Sequence, residues 1–181
     1  MPRIFVALTP NKIFNKQIIE IKKDLKKGIL KEQNISWQEN NNHHITLNFI
    51  GEMEPEQLDQ LNAGIENFIT SRSSIALEIV EISLFPNSSG QVLVAHINPT
   101  TQLKKIHDHL GSLISSIGFE THLKKFRPHI TLGRFKDKNS EDFSFNEGRE
   151  NIKSIALTID TYESEFEFGK VNFKLIKSFK N

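Results

Sequence analysis

The chain has 181 residues, 37% apolar and 25% charged, the balance of a folded globular domain rather than a disordered or low-complexity segment. Its 23 basic and 22 acidic side chains leave a net charge of +1, too little basic excess for a protein that coats long nucleic acid through phosphate contacts. It has no cysteine, which excludes disulfides, thiolate metal sites and a cysteine nucleophile, and suits a reducing cytoplasm.

Arg3–Leu8 reads as a buried strand, and its apolar run is too short for the core of a signal peptide. Thr9 is the expected N-cap and Pro10 a first-turn residue of a helix whose apolar face is Phe14, Ile18, Ile21 and Leu25, with Gly28 as its stop. Asn34–Asn42 is polar and asparagine-rich, hence an expected loop, and Ile45–Ile50 is an expected strand. Pro55 opens a second helix with Leu58, Leu61, Ile65, Phe68 and Ile69 on one face. Ile75–Phe85 and Gln91–Ile97 read as hairpin strands around the turn Pro86–Gly90. Leu103, Ile106, Leu110, Leu113, Ile114 and Ile117 mark a third helix ended by Gly118. A strand over Ile130–Phe135, an exposed loop over 137–150, and strands near Ile152–Ser164 and Val171–Phe179 complete the chain. No apolar stretch reaches membrane-spanning length. Mixed elements with frequent hairpins predict an α+β fold with mainly antiparallel sheets, and no linker divides residues 1–181.

The tetrapeptide His-Ile-Thr-Leu occurs twice, at 44–47 and at 129–132. Side chains on a strand alternate faces, so His44, Thr46 and Asn48 are expected on one face, with Ile45, Leu47 and Phe49 behind. In the second copy His129 and Thr131 share a face, with Ile130 and Leu132 behind. Each copy presents an imidazole and a hydroxyl about 7 Å apart at ~3.3 Å per residue. A single histidine on a polar strand face is usually an ordinary surface side chain. Two in matched settings can converge on one phosphate, one accepting a proton while the other donates, because histidine populates both states near neutrality. Neither motif carries a carboxylate or a further histidine to complete a metal set, so no metal or cofactor is expected. His43 is expected to face away from His44. His107 and His109 fall on different faces of the third helix, and His96 and His122 have no recurring context.

The two motifs, their 85-residue separation and the run "FRPHITLGR" together resemble the two-histidine phosphoesterases, in particular the bacterial and archaeal RNA 2',3'-cyclic phosphodiesterases, also called 2'-5' RNA ligases. "RIFVAL", Ser36 and Trp37 with "HITLNFIGE", and "LFPNSSGQVLVAHI" extend the resemblance over nearly the whole chain. It implies a bilobal α+β fold, two mainly antiparallel sheets with helices outside and a central cleft, one motif per lobe. It implies metal-independent hydrolysis of RNA 2',3'-cyclic phosphate ends to 2'-phosphates, with reverse 2'-5' RNA ligation. His44 is then the proton donor to the departing 3'-oxygen and His129 the proton acceptor from water. Thr46 and Thr131 hold the phosphate, and Arg134 matches the family's phosphate-contacting arginine. Strict alternation puts Arg134 on the face opposite His129, and a bulge at Gly133 would turn it back. Phe5 and Phe126 are candidate surfaces for stacking a base, against a competing reading as core. The chain departs from the family pattern in the polar "ENNNHHI" and at Phe173, where many relatives carry tyrosine. The expected partners are RNA ends or small cyclic nucleotides, met by a cytoplasmic monomer without a membrane. Two readings compete: cleavage of 2'-5'-linked oligonucleotides or other cyclic nucleotides by the same pair, and a non-catalytic RNA-end-binding module.

Overall fold

The computed structural model describes residues 2–69, 75–88, 90–120, 125–137, 144–145, 153–167 and 170–180; His122 and most of the loop expected over 137–150 lie outside them. β1 (Arg3–Pro10) runs two residues further than expected, so Pro10 ends a strand instead of opening a helix. The cap of α1 (Lys12–Lys27) is therefore Asn11, whose side-chain oxygen accepts from Phe14 N at 2.8 Å, and not Thr9. Phe14, Ile18, Ile21 and Leu25 form the buried face of α1, and the N–H of Gly28 closes the helix on Asp24 O.

The asparagine-rich segment is only partly a loop. Ile35–Trp37 forms a short strand, β2, followed by a 3-10 turn at Asn40–Asn42. Ile35 and Trp37 pack on the core while Ser36 is exposed, an alternation too brief to stand out among polar neighbours. The remaining elements are β3 (Ile45–Glu52), α2 (Pro55–Ile69), β4 (Ile75–Phe85), β5 (Val92–Ile97), α3 (Thr101–Ser116), β6 (His129–Phe135), β7 (Ser144–Phe145), β8 (Lys153–Glu167) and β9 (Lys170–Lys180). β7 lies within the stretch expected to be loop.

Among the described residues every strand pairing is antiparallel. β2, β4, β5, β6 and β7 form one group, and β3, β1, β8 and β9 the other. The two groups are joined by the Ile45–Ile130 pair between β3 and β6, and by β4 against β8, so the two expected sheets are halves of one hydrogen-bonded network. The helices pack on one side, α1 on β1 and β8, α2 on β9, α3 on β3. Their apolar faces bury Ile4, Val6, Leu8, Ile45, Leu47, Ile130 and Leu132 in a continuous core. Fully burying such a side chain stabilises the fold by about 1.5–3 kcal/mol. The opposite faces of β3 and β6 carry the two His–Thr pairs. Among the described residues no helix is long and apolar enough to cross a membrane.

Candidate active site

His44 leaves the 3-10 turn just before β3, and its Nδ1–H donates to Asn42 O at 2.8 Å. His129 opens β6, and its Nδ1–H donates to Arg127 O at 2.8 Å. A carbonyl only accepts, so Nδ1 carries the proton in both rings and each Nε2 keeps its lone pair. The echo in the sequence is thus also an echo in structure: each imidazole is oriented by the carbonyl two residues before it. The antiparallel Ile45–Ile130 pair sets His44 on the side of Thr131 and Thr46 on the side of His129, a local two-fold arrangement of the two motifs.

Rings enclose His44. Phe173 meets it edge-on at 4.9 Å, Phe5 lies tilted at 5.1 Å, and Tyr162 is 6.1 Å away. Phe5 also stacks on Tyr162 at 5.2 Å. Behind them the buried carboxylate of Asp160 accepts hydrogen bonds from Thr9 Oγ1 and from the Tyr162 hydroxyl, the latter at 3.3 Å. Burial pushes the Tyr162 hydroxyl pKa up. Burial likewise pushes the His44 pKa below its usual 6.5; the Asn42 carbonyl opposes this, and repulsion from His129 adds to it. The charge of His129 is therefore felt at His44.

The second half of the site belongs to β4, β5 and β6. Phe85 stacks on His129 at 4.3 Å, and His96 lies directly opposite His129 in the β5–β6 ladder. His96 Nε2 is 2.9 Å from the Ser83 hydroxyl. The Arg127 guanidinium sits 4.5 Å from the centre of the Phe85 ring and donates to Pro86 O at 2.8 Å. Burial lowers the His129 pKa, its bond to the Arg127 carbonyl opposes this, and the His96 and Arg127 charges lower it further.

Irregular registers re-aim several side chains. Between β1 and β3 the pairing skips Leu47 and Ile50, so Asn48 sits opposite Val6 and Phe49 opposite Phe5. Asn48 is consequently buried, and Phe49 emerges half-exposed on the His44 side, the reverse of strict alternation. The carbonyl of the bulged Leu47 accepts from His107 Nδ1 at 2.8 Å. Between β5 and β6 the pairing skips Leu132, so Val94 faces Thr131 and Val92 faces Arg134. That skip sets exposed Arg134 on the same face as Thr131 and His129. Gly133 is required because β2 passes close: a Cβ there would lie 2.8 Å from Ile35 Cγ2 and 3.1 Å from Ser36 O.

Phe126 is placed elsewhere. It stacks on His107 of α3 at 4.2 Å and packs, partly buried, against the core, the competing placement expected for it. Phe5 is 3% exposed and supports His44 instead of offering a free face. His43 turns away from His44 and bonds to Asn15 and Lys22 of α1. A cavity of about 370 Å³ opens beside His44 and Thr46, walled by Arg3, Phe49, Glu165, Phe166, Val171 and Phe173. Sequence reasoning missed Phe49, Phe85, His96, Arg127 and Tyr162. Arg127 had a local signal, two positions before His129, and Tyr162 is the only tyrosine of the chain. His96 and Phe85 join the site only through strand pairing.

Comparison with known proteins adds relatives with the same plan. The family model described as the 2'-5' RNA ligase superfamily matches residues 6–163. The RNA 2',3'-cyclic phosphodiesterase of Thermotoga maritima is 28% identical over 190 residues, covering 94% of this chain and 99% of that protein. The crystal structure of TT0787 of Thermus thermophilus shares the fold at a TM-score of 0.83 and 16% identity, covering 98% of this chain and 97% of that one. Escherichia coli LigT complexed with 3'-AMP does so at a TM-score of 0.76 and 21% identity, covering 99% and 97%. With twin motifs on paired strands, a mainly antiparallel sheet backed by three helices and a family match over most of its length, the chain belongs to the 2'-5' RNA ligase superfamily of two-histidine phosphoesterases.

Proposed function

We propose that the protein hydrolyses 2',3'-cyclic phosphates at RNA ends to 2'-phosphates by proton transfer through His44 and His129, without a metal ion. The observation that carries this reading is the matched pair of imidazoles, each tied at Nδ1 to a backbone carbonyl with Nε2 left for chemistry. His129 Nε2 accepts a proton from water as the water oxygen attacks phosphorus. The P–O3' bond breaks, and protonated His44 gives its Nε2 proton to the departing 3'-oxygen. The Thr46 and Thr131 hydroxyls donate to the non-bridging oxygens, and Arg134 supplies positive charge from the same strand face. A 5'-hydroxyl in place of water at the same position gives a 2'-5' linkage. The name of the Thermotoga relative and the 3'-AMP in the LigT structure support an RNA-end or nucleotide substrate.

Incubation with an oligoribonucleotide ending in a 2',3'-cyclic phosphate, in excess chelator, is expected to yield the 2'-phosphate. A 3'-phosphate product, or activity abolished by the chelator, contradicts the mechanism. If the protein binds such ends without turning them over, the RNA-end-binding reading is the correct one.

The cavity lies on the His44 side, where the departing 3'-oxygen and its nucleoside belong. Its half-exposed Phe49 ring suits a nucleobase face, and stacking on an aromatic is worth about 1–3 kcal/mol per base. Phe49→Ala is therefore expected to raise KM for nucleoside 2',3'-cyclic phosphates roughly 10-fold or more, with kcat nearly unchanged. Initial-rate kinetics check this, and an unaltered KM removes Phe49 from the substrate site.

A further inference from the structure

We infer that Lys22, acting through His43, is a positioning residue that holds the segment carrying His44; this rests on the catalytic part proposed for His44. An ammonium has three N–H donors. All three of Lys22 find acceptors in residues 38–43: Gln38 O, Asn40 Oδ1 at 3.0 Å and His43 Nε2 at 3.0 Å. Because His43 Nε2 accepts from Lys22, its Nδ1 carries the proton and donates to Asn15 Oδ1 at 2.6 Å. Asn15 Nδ2 in turn donates to Asn40 O at 3.0 Å. Asn15 and Lys22 are seven residues apart, two turns along one face of α1, and together they grip both ends of the segment.

Burying an ammonium is costly unless it is fully bonded, and Lys22 is only 3% exposed. An apolar side chain of similar length would fill the same space without that cost. What the lysine adds is direction. The clasped segment contains Asn42, whose carbonyl receives His44 Nδ1–H and sets both the ring orientation and the tautomer that leaves Nε2 facing substrate. His129 is held by other means: Ile97 N donates to Pro128 O at 2.9 Å, and Arg127 is tied to Pro86 O. Loss of the clasp should thus affect one imidazole and spare the other.

Lys22→Met keeps the stem and removes all three donors. The expected result is a fall in kcat of about 10-fold with KM unchanged, since small misplacements of reacting groups can cost up to ~10²-fold. The limb of the pH–rate profile that follows His44 should move, and the limb that follows His129 should stay. Nitrogen-15 spectra of the imidazoles should show His44 changing from the Nδ1–H form to a mixture of tautomers, with His129 unchanged. Asn15→Ser, which leaves the ammonium in place, should give smaller changes of the same kind and serves if Lys22→Met does not fold. Lower thermal stability with the His44 tautomer, its limb and kcat all unaltered overturns the inference. If the wild type turns over no cyclic phosphate, the proposed function fails on its own, and the imidazole spectra still decide whether Lys22 orients His44.

Discussion

Alanine at either His44 or His129 is expected to lower kcat on a cyclic phosphate by about 10²–10⁴, the usual contribution of one positioned acid or base. The double variant should fall little further than the worse single one, because in the proposed mechanism both groups act in one transition state and their losses do not add. The pH profile separates the two parts. The base must be neutral, so activity rises with pH through the His129 pKa. The acid must be protonated, so activity falls as pH rises through the His44 pKa. In the free protein both values lie below 6.5, chiefly through burial, so the maximum of kcat/KM is expected on the acid side of 6.5. Bound phosphate stabilises the imidazolium of His44 and should carry the maximum of kcat to higher pH. A kcat/KM maximum well above neutrality, or single variants with near wild-type rates, would remove the pair from the chemistry.

How far a residue could be located from sequence depended on whether its position follows from a local period. The helices did: Phe14, Ile18, Ile21 and Leu25 are buried as their spacing predicts. So did the apolar backs of both motifs, Ile45 with Leu47 and Ile130 with Leu132. Departures begin where the ladder skips a residue. Asn48 and Phe49 exchange faces because Leu47 and Ile50 are bulged, and nothing in the string "ITLNFIGE" marks those positions. On β6 a glycine did mark the place, because β2 presses against Gly133, and the skip at Leu132 carries Arg134 round to the His129 face. His96 illustrates a further limit. It lies 33 positions before His129, and only the β5–β6 register makes them neighbours. The Lys22–His43 contact is of the same kind, a helix meeting a loop, with no repeating pattern to announce it.

That contact also governs how the fold responds to acid. Burial, with the nearby charges of Lys22 and His44, holds the His43 pKa down at about 3 against an ordinary 6.5. Between those values the unfolded chain binds a proton at this position that the folded chain refuses, so stability rises with pH there. The contribution of neutral His43 is complete above about 6.5 and is lost progressively as pH falls towards 3. At about 1.4 kcal/mol per pH unit the full loss is roughly 4–5 kcal/mol, comparable to the whole stability of a marginal domain. His44 and His129 have pKa values displaced in the same direction and add to the loss. Lys22 works in a different window: burial, with Lys26 close by, lowers its pKa to about 8, so its contribution rises only as pH passes from there towards 10.5. Urea unfolding followed from pH 7 to pH 3.5 should therefore show a steep decline in the wild type. His43→Gln retains an acceptor for Lys22 and a donor for Asn15 but cannot take up the proton. It should decline less over the same interval, by several kcal/mol at the acid end, because every other titrating group is common to both proteins. Parallel curves would mean that the folded protein admits the charge of His43, which contradicts a buried contact between neutral His43 and the Lys22 ammonium.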